Sequence, residues 1–209
     1  MAKIALIGDS QSEALWPRVQ KAMPQHEFVL VRTQRGWESW HYQKEGKLEQ
    51  QLADAKPDLV VVELGGNNFF VTEQKYKPYV DWMLSAARKS GARHILWIGP
   101  ATATKSPNKE NKEWTQAFQK QYIGSQPDVT WFDSFPYTQT GHVDGVHFSG
   151  KTYGPWSEVI VPAIEDASKR ATSGSLAVFS SVKKNLPLTL SILVAGLVAG
   201  YVWRRSRRR

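Results

Sequence analysis

The chain has 209 residues, enough for one domain of ordinary size with a full core. Seven lysines and arginines and no acidic residue follow Val182, so of the net +8 only +1 belongs to everything before them. The body is nearly neutral and the pI is no guide to its chemistry, while the absence of cysteine excludes disulfides, thiol catalysis and cysteine-ligated metals.

Taken in order, Ile4, Ala5, Leu6 and Ile7 form an apolar run without alternation, as expected of a strand buried on both faces of a parallel sheet. Four residues are too few for the apolar core of a signal peptide, so none is expected. The run ends in Gly8-Asp9-Ser10, and residues 12–23 carry Ala14, Leu15, Val19 and Ala22 at helical spacing, with Pro17 expected to kink the first turn or shift the helix start. Ser10 therefore falls at a strand-to-helix turn, where open α/β folds place ligands; it is equally placed to be only a helix N-cap. Residues 27–32 are the second strand, followed by a loop over 33–40 around Gly36. Residues 47–55 are a polar helix, and 58–64 a buried strand that ends in Gly65-Gly66-Asn67-Asn68. A long helix over 74–90, a strand over 94–98, a polar loop over 101–109, a helix over 110–122 and a strand over 129–132 follow. A turn-rich stretch, 134–145, leads to Val146-His147-Phe148 and a last helix over 153–170.

Five apolar strands alternating with helices predict an α/β three-layer sandwich with a five-stranded parallel sheet and the strand order 2-1-3-4-5. The domain spans 1–171, and a linker over 172–185 begins with Thr172-Ser173-Gly174-Ser175. Residues 186–203 then carry no charge and, at 1.5 Å per residue, reach about 27 Å as a helix. That approaches a bilayer core of about 30 Å, with Lys183, Lys184 and Arg204 able to snorkel at its ends. A transmembrane helix is expected there, followed by a basic tail, 204–209; a buried core helix is the weaker alternative. Gly196 and Gly200 are four apart, which either forms a close-packing homodimer seam or reflects the frequency of glycine in membrane helices.

Four loops at or after strand ends carry the candidate chemistry. A serine hydroxyl is a poor nucleophile; it needs an imidazole base, which needs an acid to fix its tautomer. Asp144-Gly145-Val146-His147 supplies both, at a spacing that lets the carboxylate fold back onto the Nδ1 of the histidine. The order Ser10, Asp144, His147 is that of hydrolases built on α/β sheets. His142 is the one rival base nearby, without an acid three residues before it. An oxyanion could be met by the N–H groups of Ser10 and Gly36 and the side-chain amide of Asn67. Trp37, Trp40, His41, Phe69 and Phe70 flank these loops, as pocket walls or as caps on the core; the nine tryptophans of the chain allow either.

These residues resemble the SGNH, or GDSL, hydrolase family. The likeness rests on G-D-S-x-S at Gly8 to Ser12, a lone glycine at Gly36, G-x-N at Gly65 to Asn67 and D-x-x-H at Asp144 to His147, in the family's order. It implies a flavodoxin-like fold and hydrolysis of an ester through an acyl-serine, without metal or other cofactor. It assigns Ser10 as nucleophile, His147 as base, Asp144 as orienter, and Ser10, Gly36 and Asn67 as oxyanion donors. Asn68 departs from the pattern, since aspartate is usual there, and this puts local geometry in question more than catalysis.

The expectation is thus a membrane-anchored serine esterase. A compact domain without a lid favours a small acyl group such as acetyl, and aromatic residues by the site suit a polysaccharide or peptidoglycan. Alternatives are a lipase or lysophospholipase at the membrane, and a non-catalytic membrane-anchored structural protein, such as one of a virion. The expected location is a membrane, single-pass, with the domain facing the cytoplasm or in a virion membrane; the arginine tail could touch nucleic acid electrostatically.

Overall fold

The computed structural model of the protein describes residues 1–173. Beyond Ser173, the rest of the linker, the expected span over 186–203, its Gly196 and Gly200 seam and the basic tail lie outside the described residues. Among the described residues no helix is long and apolar enough to cross a membrane.

Five strands, β1 (Lys3–Gly8), β2 (Glu27–Thr33), β3 (Leu59–Glu63), β4 (His94–Ile98) and β5 (Val129–Phe132), form one parallel sheet in the order β2-β1-β3-β4-β5, as expected. The apolar runs of β1, β3 and β4 are buried on both faces, since successive side chains point to opposite sides of a pleated strand, while the edge strands β2 and β5 are only partly buried. Ile4, Leu6, Leu59, Val61, Leu96 and Ile98 pack with Leu15, Trp16 and Val19 of α1 (Ser12–Ala22) and Trp156, Ile160 and Ile164 of α6 (Gly150–Thr172). The alternate set, Ala5, Ile7, Val60, Val62, Ile95 and Trp97, packs on the other face. Its partners come from α2 (Ser39–Glu45), α3 (Leu48–Ala55), α4 (Glu73–Lys89) and α5 (Asn108–Tyr122), among them Tyr42, Leu52, Val80 and Phe118.

Two local expectations are corrected. α1 begins at Ser12, before Pro17, and continues through it, so the proline does not shift the helix start. α2 occupies a stretch given no helix from the sequence. It opens on a capping box in which the Glu38 carboxylate accepts the His41 N–H and the His41 ring accepts the Glu38 N–H, and it closes on Gly46 at φ 74°. Glutamate and histidine in those two roles fall outside the usual Ser/Thr and Glu/Gln pattern, and only Ser39 and Tyr42 of this helix are buried, too few to show a period. α2 positions the site all the same, because the Tyr42 hydroxyl donates to the Gly8 carbonyl at 2.7 Å where β1 ends.

Gly8 itself is fixed by close approach. A Cβ there would stand 1.8 Å from the Ser12 Oγ and 3.1 Å from the Glu63 carbonyl oxygen. Gly8→Ala therefore forces β1, α1 and β3 apart, and overpacking of this kind costs about 1–3 kcal/mol. The expected outcome is a loss of that size in urea denaturation, with a lower melting temperature; a variant as stable as the parent would show that the turn has slack.

Candidate active site

The turn from β1 into α1 is tightened by Asp9, whose Oδ1 accepts the Gln11 N–H at 2.8 Å. Ser10 is not the cap of α1; Gln11 holds that position. The Ser10 hydroxyl instead points across the carboxyl edge of the sheet, 3.0 Å from the His147 Nε2.

His147 comes from the loop after β5. An isolated bridge joins His142 to Phe148, and the Val143 N–H donates to the His147 carbonyl at 2.8 Å, so the two ends of the loop are paired. Gly145 makes the turn between them at φ 94°, a region that side-chain-bearing residues rarely enter. Asp144 is wrapped by this turn. Its Oδ1 accepts the Val146 and His147 N–H groups at 2.9 and 2.7 Å, and its Oδ2 meets the His147 Nδ1 at 2.8 Å. The His147 N–H, the ring contact and the Val146 N–H hold the Asp144 carboxyl below the usual carboxylate range, so it stays an anion. An anion at Nδ1 places the ring proton there and leaves Nε2 free to accept the proton of Ser10. His142, the rival, is taken up elsewhere: its Nε2 lies 3.0 Å from the Thr102 carbonyl and its ring 4.4 Å from that of Phe148.

Gly36 and Asn67 join Ser10, Asp144 and His147 in one cleft of about 600 Å³. Gly36 has φ 73°, and a Cβ there would meet nothing within 4 Å, so backbone conformation rather than space selects glycine. The Asn67 Nδ2 donates to the Asp9 Oδ2 at 2.6 Å and lies a long 3.4 Å from the Trp37 carbonyl. Asn68 is buried and braces its own loop, accepting the Phe70 N–H and donating to the Phe70 carbonyl and the Thr115 hydroxyl. The aromatic residues divide: Trp37 and Phe70 pack against the core, whereas Phe69 is 56% exposed.

Several residues of the site went unassigned in the sequence. Gln11 ties the serine turn to the histidine loop, its Nε2 donating to the Val146 carbonyl and its Oε1 accepting the Tyr153 hydroxyl of α6. The Glu38 Oε1 accepts the N–H groups of Gly65 and Asn67 at 2.7 and 3.1 Å, which locks the loop holding Gly36 to the loop holding Asn67. Glu63 accepts the Ser12 hydroxyl at 2.7 Å, and Lys112 is buried near Gly66 and Asp9. Burial pushes the Asp9 and Glu63 carboxyls up and the Lys112 amine down, each partly offset by the opposite charge of the others. One signal was available: a glutamate closing an all-apolar strand, as Glu63 does, faces a buried partner or a ligand.

No protein-family profile and no curated protein matches the sequence. Solved structures do. A carbohydrate esterase family 3 protein from Talaromyces cellulolyticus superposes with a TM-score of 0.68 at 18% identity, over 81% of this chain and 99% of the other. A carbohydrate acetylesterase family member from Sinorhizobium meliloti gives 0.64 at 17%, over 79% and 98%. The C-terminal catalytic domain of the Streptococcus pneumoniae peptidoglycan O-acetyltransferase A gives 0.59 at 20%, over 79% and 93%. The chain has the fold of these proteins. At such identities the likeness establishes fold alone, so the chemistry rests on the residues of this chain.

Glu38 also gives the site a pH signature. Burial first, then the negative charge of Asp9, push its carboxyl from 4.5 up to about 8. A carboxyl with a folded pKa above its unfolded one adds stability that is complete below the unfolded value and lost as pH climbs through the folded value. The protein is therefore expected to lose stability between about pH 4.5 and 8. Glu38→Gln keeps an acceptor for Gly65 and Asn67 and carries no charge, so its loss over that interval should be smaller. Urea titrations of both proteins at pH 5 and pH 8 check this; equal losses would mean that Glu38 does not hold a proton in the fold.

Proposed function

We propose that the protein is a serine esterase that removes a small acyl group, acetyl foremost, from a carbohydrate. The observation that carries this reading is the continuous chain from the Ser10 Oγ to the His147 Nε2 at 3.0 Å and from the His147 Nδ1 to the Asp144 Oδ2 at 2.8 Å, set in an open cleft. The acetyl and carbohydrate part is supported by the names of the structural neighbours, which include carbohydrate esterases and a peptidoglycan O-acetyltransferase.

In the reaction, the Ser10 Oγ bonds to the ester carbonyl carbon as its proton passes to the His147 Nε2. The carbonyl oxygen becomes an oxyanion, met by the backbone N–H groups of Ser10 and Gly36 and by the Asn67 amide. Asn67 suits this task because one N–H is anchored on Asp9 while the other makes only a long contact, one that an oxyanion would displace. Collapse breaks the bond to the alcohol oxygen, which takes the proton back from His147, and leaves acyl-Ser10. Water then repeats the cycle with the same base, releasing the acid. Asp144 stabilises the imidazolium in both halves without being protonated, as its lowered pKa requires.

Ser10→Ala and His147→Ala should abolish hydrolysis of p-nitrophenyl acetate and, for Ser10→Ala, labelling by a fluorophosphonate. Asp144→Asn is expected to lose about 10⁴-fold in kcat, the magnitude seen when a triad histidine is left in the wrong tautomer. Asn67→Ala should lower kcat by about 10²–10³, the usual worth of one oxyanion donor. Steady-state kinetics on folded variants decide the matter; a Ser10→Ala protein that retains more than a few per cent of the parental rate would overturn the assignment.

A further inference from the structure

A second cleft, of about 460 Å³, adjoins the first at the triad. It shares Asn67, Asp144 and His147 with the first, but it is lined by Phe69, Asn108 and Asn111 where the first has Ser10, Gly36 and Arg35. We propose that this second cleft is the subsite for the alcohol half of the ester and that it takes a neutral pyranose ring against Phe69. The inference rests on the esterase reading above and adds to it the place and the residues that hold the sugar.

The chemistry of acyl transfer sets the side. The nucleophile and the oxyanion donors must surround the acyl carbonyl, whereas the leaving oxygen must lie against the His147 Nε2 that returns its proton. The first cleft contains the nucleophile with Gly36 and Asn67. His147, Asp144 and Asn67 border both clefts, but Ser10 and Gly36 border only the first, so the second is the side on which a departing alcohol can lie against the base.

The lining sets the kind of alcohol. Arg35, paired with Glu13 at 2.6 Å, gives the first cleft an ionic rim. In the second, among the described residues, Asp144 is the one acidic side chain and there is no lysine or arginine; its polar character comes from asparagine amides, which both donate to and accept from hydroxyl groups. Phe69 supplies the apolar surface. Its ring stands edge-on to Trp40 at 5.9 Å and 4.5 Å from Phe70, which stacks at 5.5 Å on Tyr79. A large aromatic ring braced by its neighbours yet 56% exposed adds apolar surface to the cleft it lines. A sugar offers the complement, with C–H groups on one face of the ring and hydroxyls around its edge. An anionic headgroup finds no opposite charge there.

The test compares two acetyl esters that differ only in the alcohol: an acetylated xylo-oligosaccharide, which fills the subsite, and ethyl acetate, which does not. For Phe69→Ala in the full-length protein, the ratio of kcat/KM for the saccharide over that for ethyl acetate should fall about fivefold to tenfold, through KM, as expected for loss of one aromatic contact. Asn111→Ala should shift the ratio the same way. A ratio unmoved by either substitution overturns the proposal, and general damage to the Asn67 loop cancels in it. Calorimetric titration of the oligosaccharide into Ser10→Ala, with and without Phe69→Ala, reads the subsite without turnover. Binding weakened by loss of the ring supports the proposal even if no ester is hydrolysed, in which case the esterase reading alone has failed. Equal binding by the two proteins, or none by either, overturns it.

Discussion

Asp9 is fully buried where β1 turns into α1, and both of its oxygens are engaged: Oδ1 by the Gln11 N–H and Oδ2 by the Asn67 amide. A carboxyl taken out of water is tolerated only when its lone pairs are met and a compensating charge is near. Here that charge is Lys112 of α5, itself 1% exposed, while Glu63 at the end of β3 is a second buried carboxyl, pushed up by burial and by the charge of Asp9. The position of the serine turn, the β3 loop and the first turns of α5 is therefore one electrostatic problem with one solution. Moving any of these elements would leave a buried charge unmatched.

Glu38 extends this network sideways. It caps α2 and binds the β3 loop through two backbone N–H groups, so the loops of Gly36 and Asn67 cannot drift independently. Preorganised donors act on a developing charge without having to reorient, which is why rigidity at this edge bears on rate as well as on stability. Below the site the two apolar faces of the sheet supply the bulk of the burial, and they fix where the strand ends fall. What the strand ends carry is then decided by polar groups that the core itself does not specify.

The uneven legibility of the sequence follows from that division. Unbroken runs such as Leu59-Val60-Val61-Val62 announce a strand buried on both faces, and the alternation of five strands with helices predicts the parallel sheet the structure has. Asp144, His147 and Ser10 were legible because their chemistry imposes residue type and spacing, and the structure brings all three together. Lys112 was not. It sits in N-K-E-N-K-E-W, one lysine among charged neighbours, and nothing local distinguishes a buried amine from a solvated one. Glu38 was hidden for a similar reason: its partners are the backbone N–H groups of Gly65 and Asn67, 27 and 29 residues away, and backbone partners leave no mark on residue type.

The two aspartates of the site show how far environment decides role. Asp9 and Asp144 begin from the same chemistry, yet burial drives the first upward while backbone N–H groups and an imidazole drive the second downward. Asp144 lies on a surface loop with its side chain 55% exposed, so desolvation is a small influence and direct hydrogen bonds prevail. That exposure matters for a base that has to cycle. In the proposed reaction His147 gains and loses a proton in each half, and a carboxylate that stays ionised throughout steadies it both times. A buried partner with a raised pKa would compete for the same proton. The fold thus keeps the carboxyls that burial pushes up, Asp9, Glu38 and Glu63, in the buried part of the site, where they set geometry, and places the carboxylate held below its usual range beside the histidine.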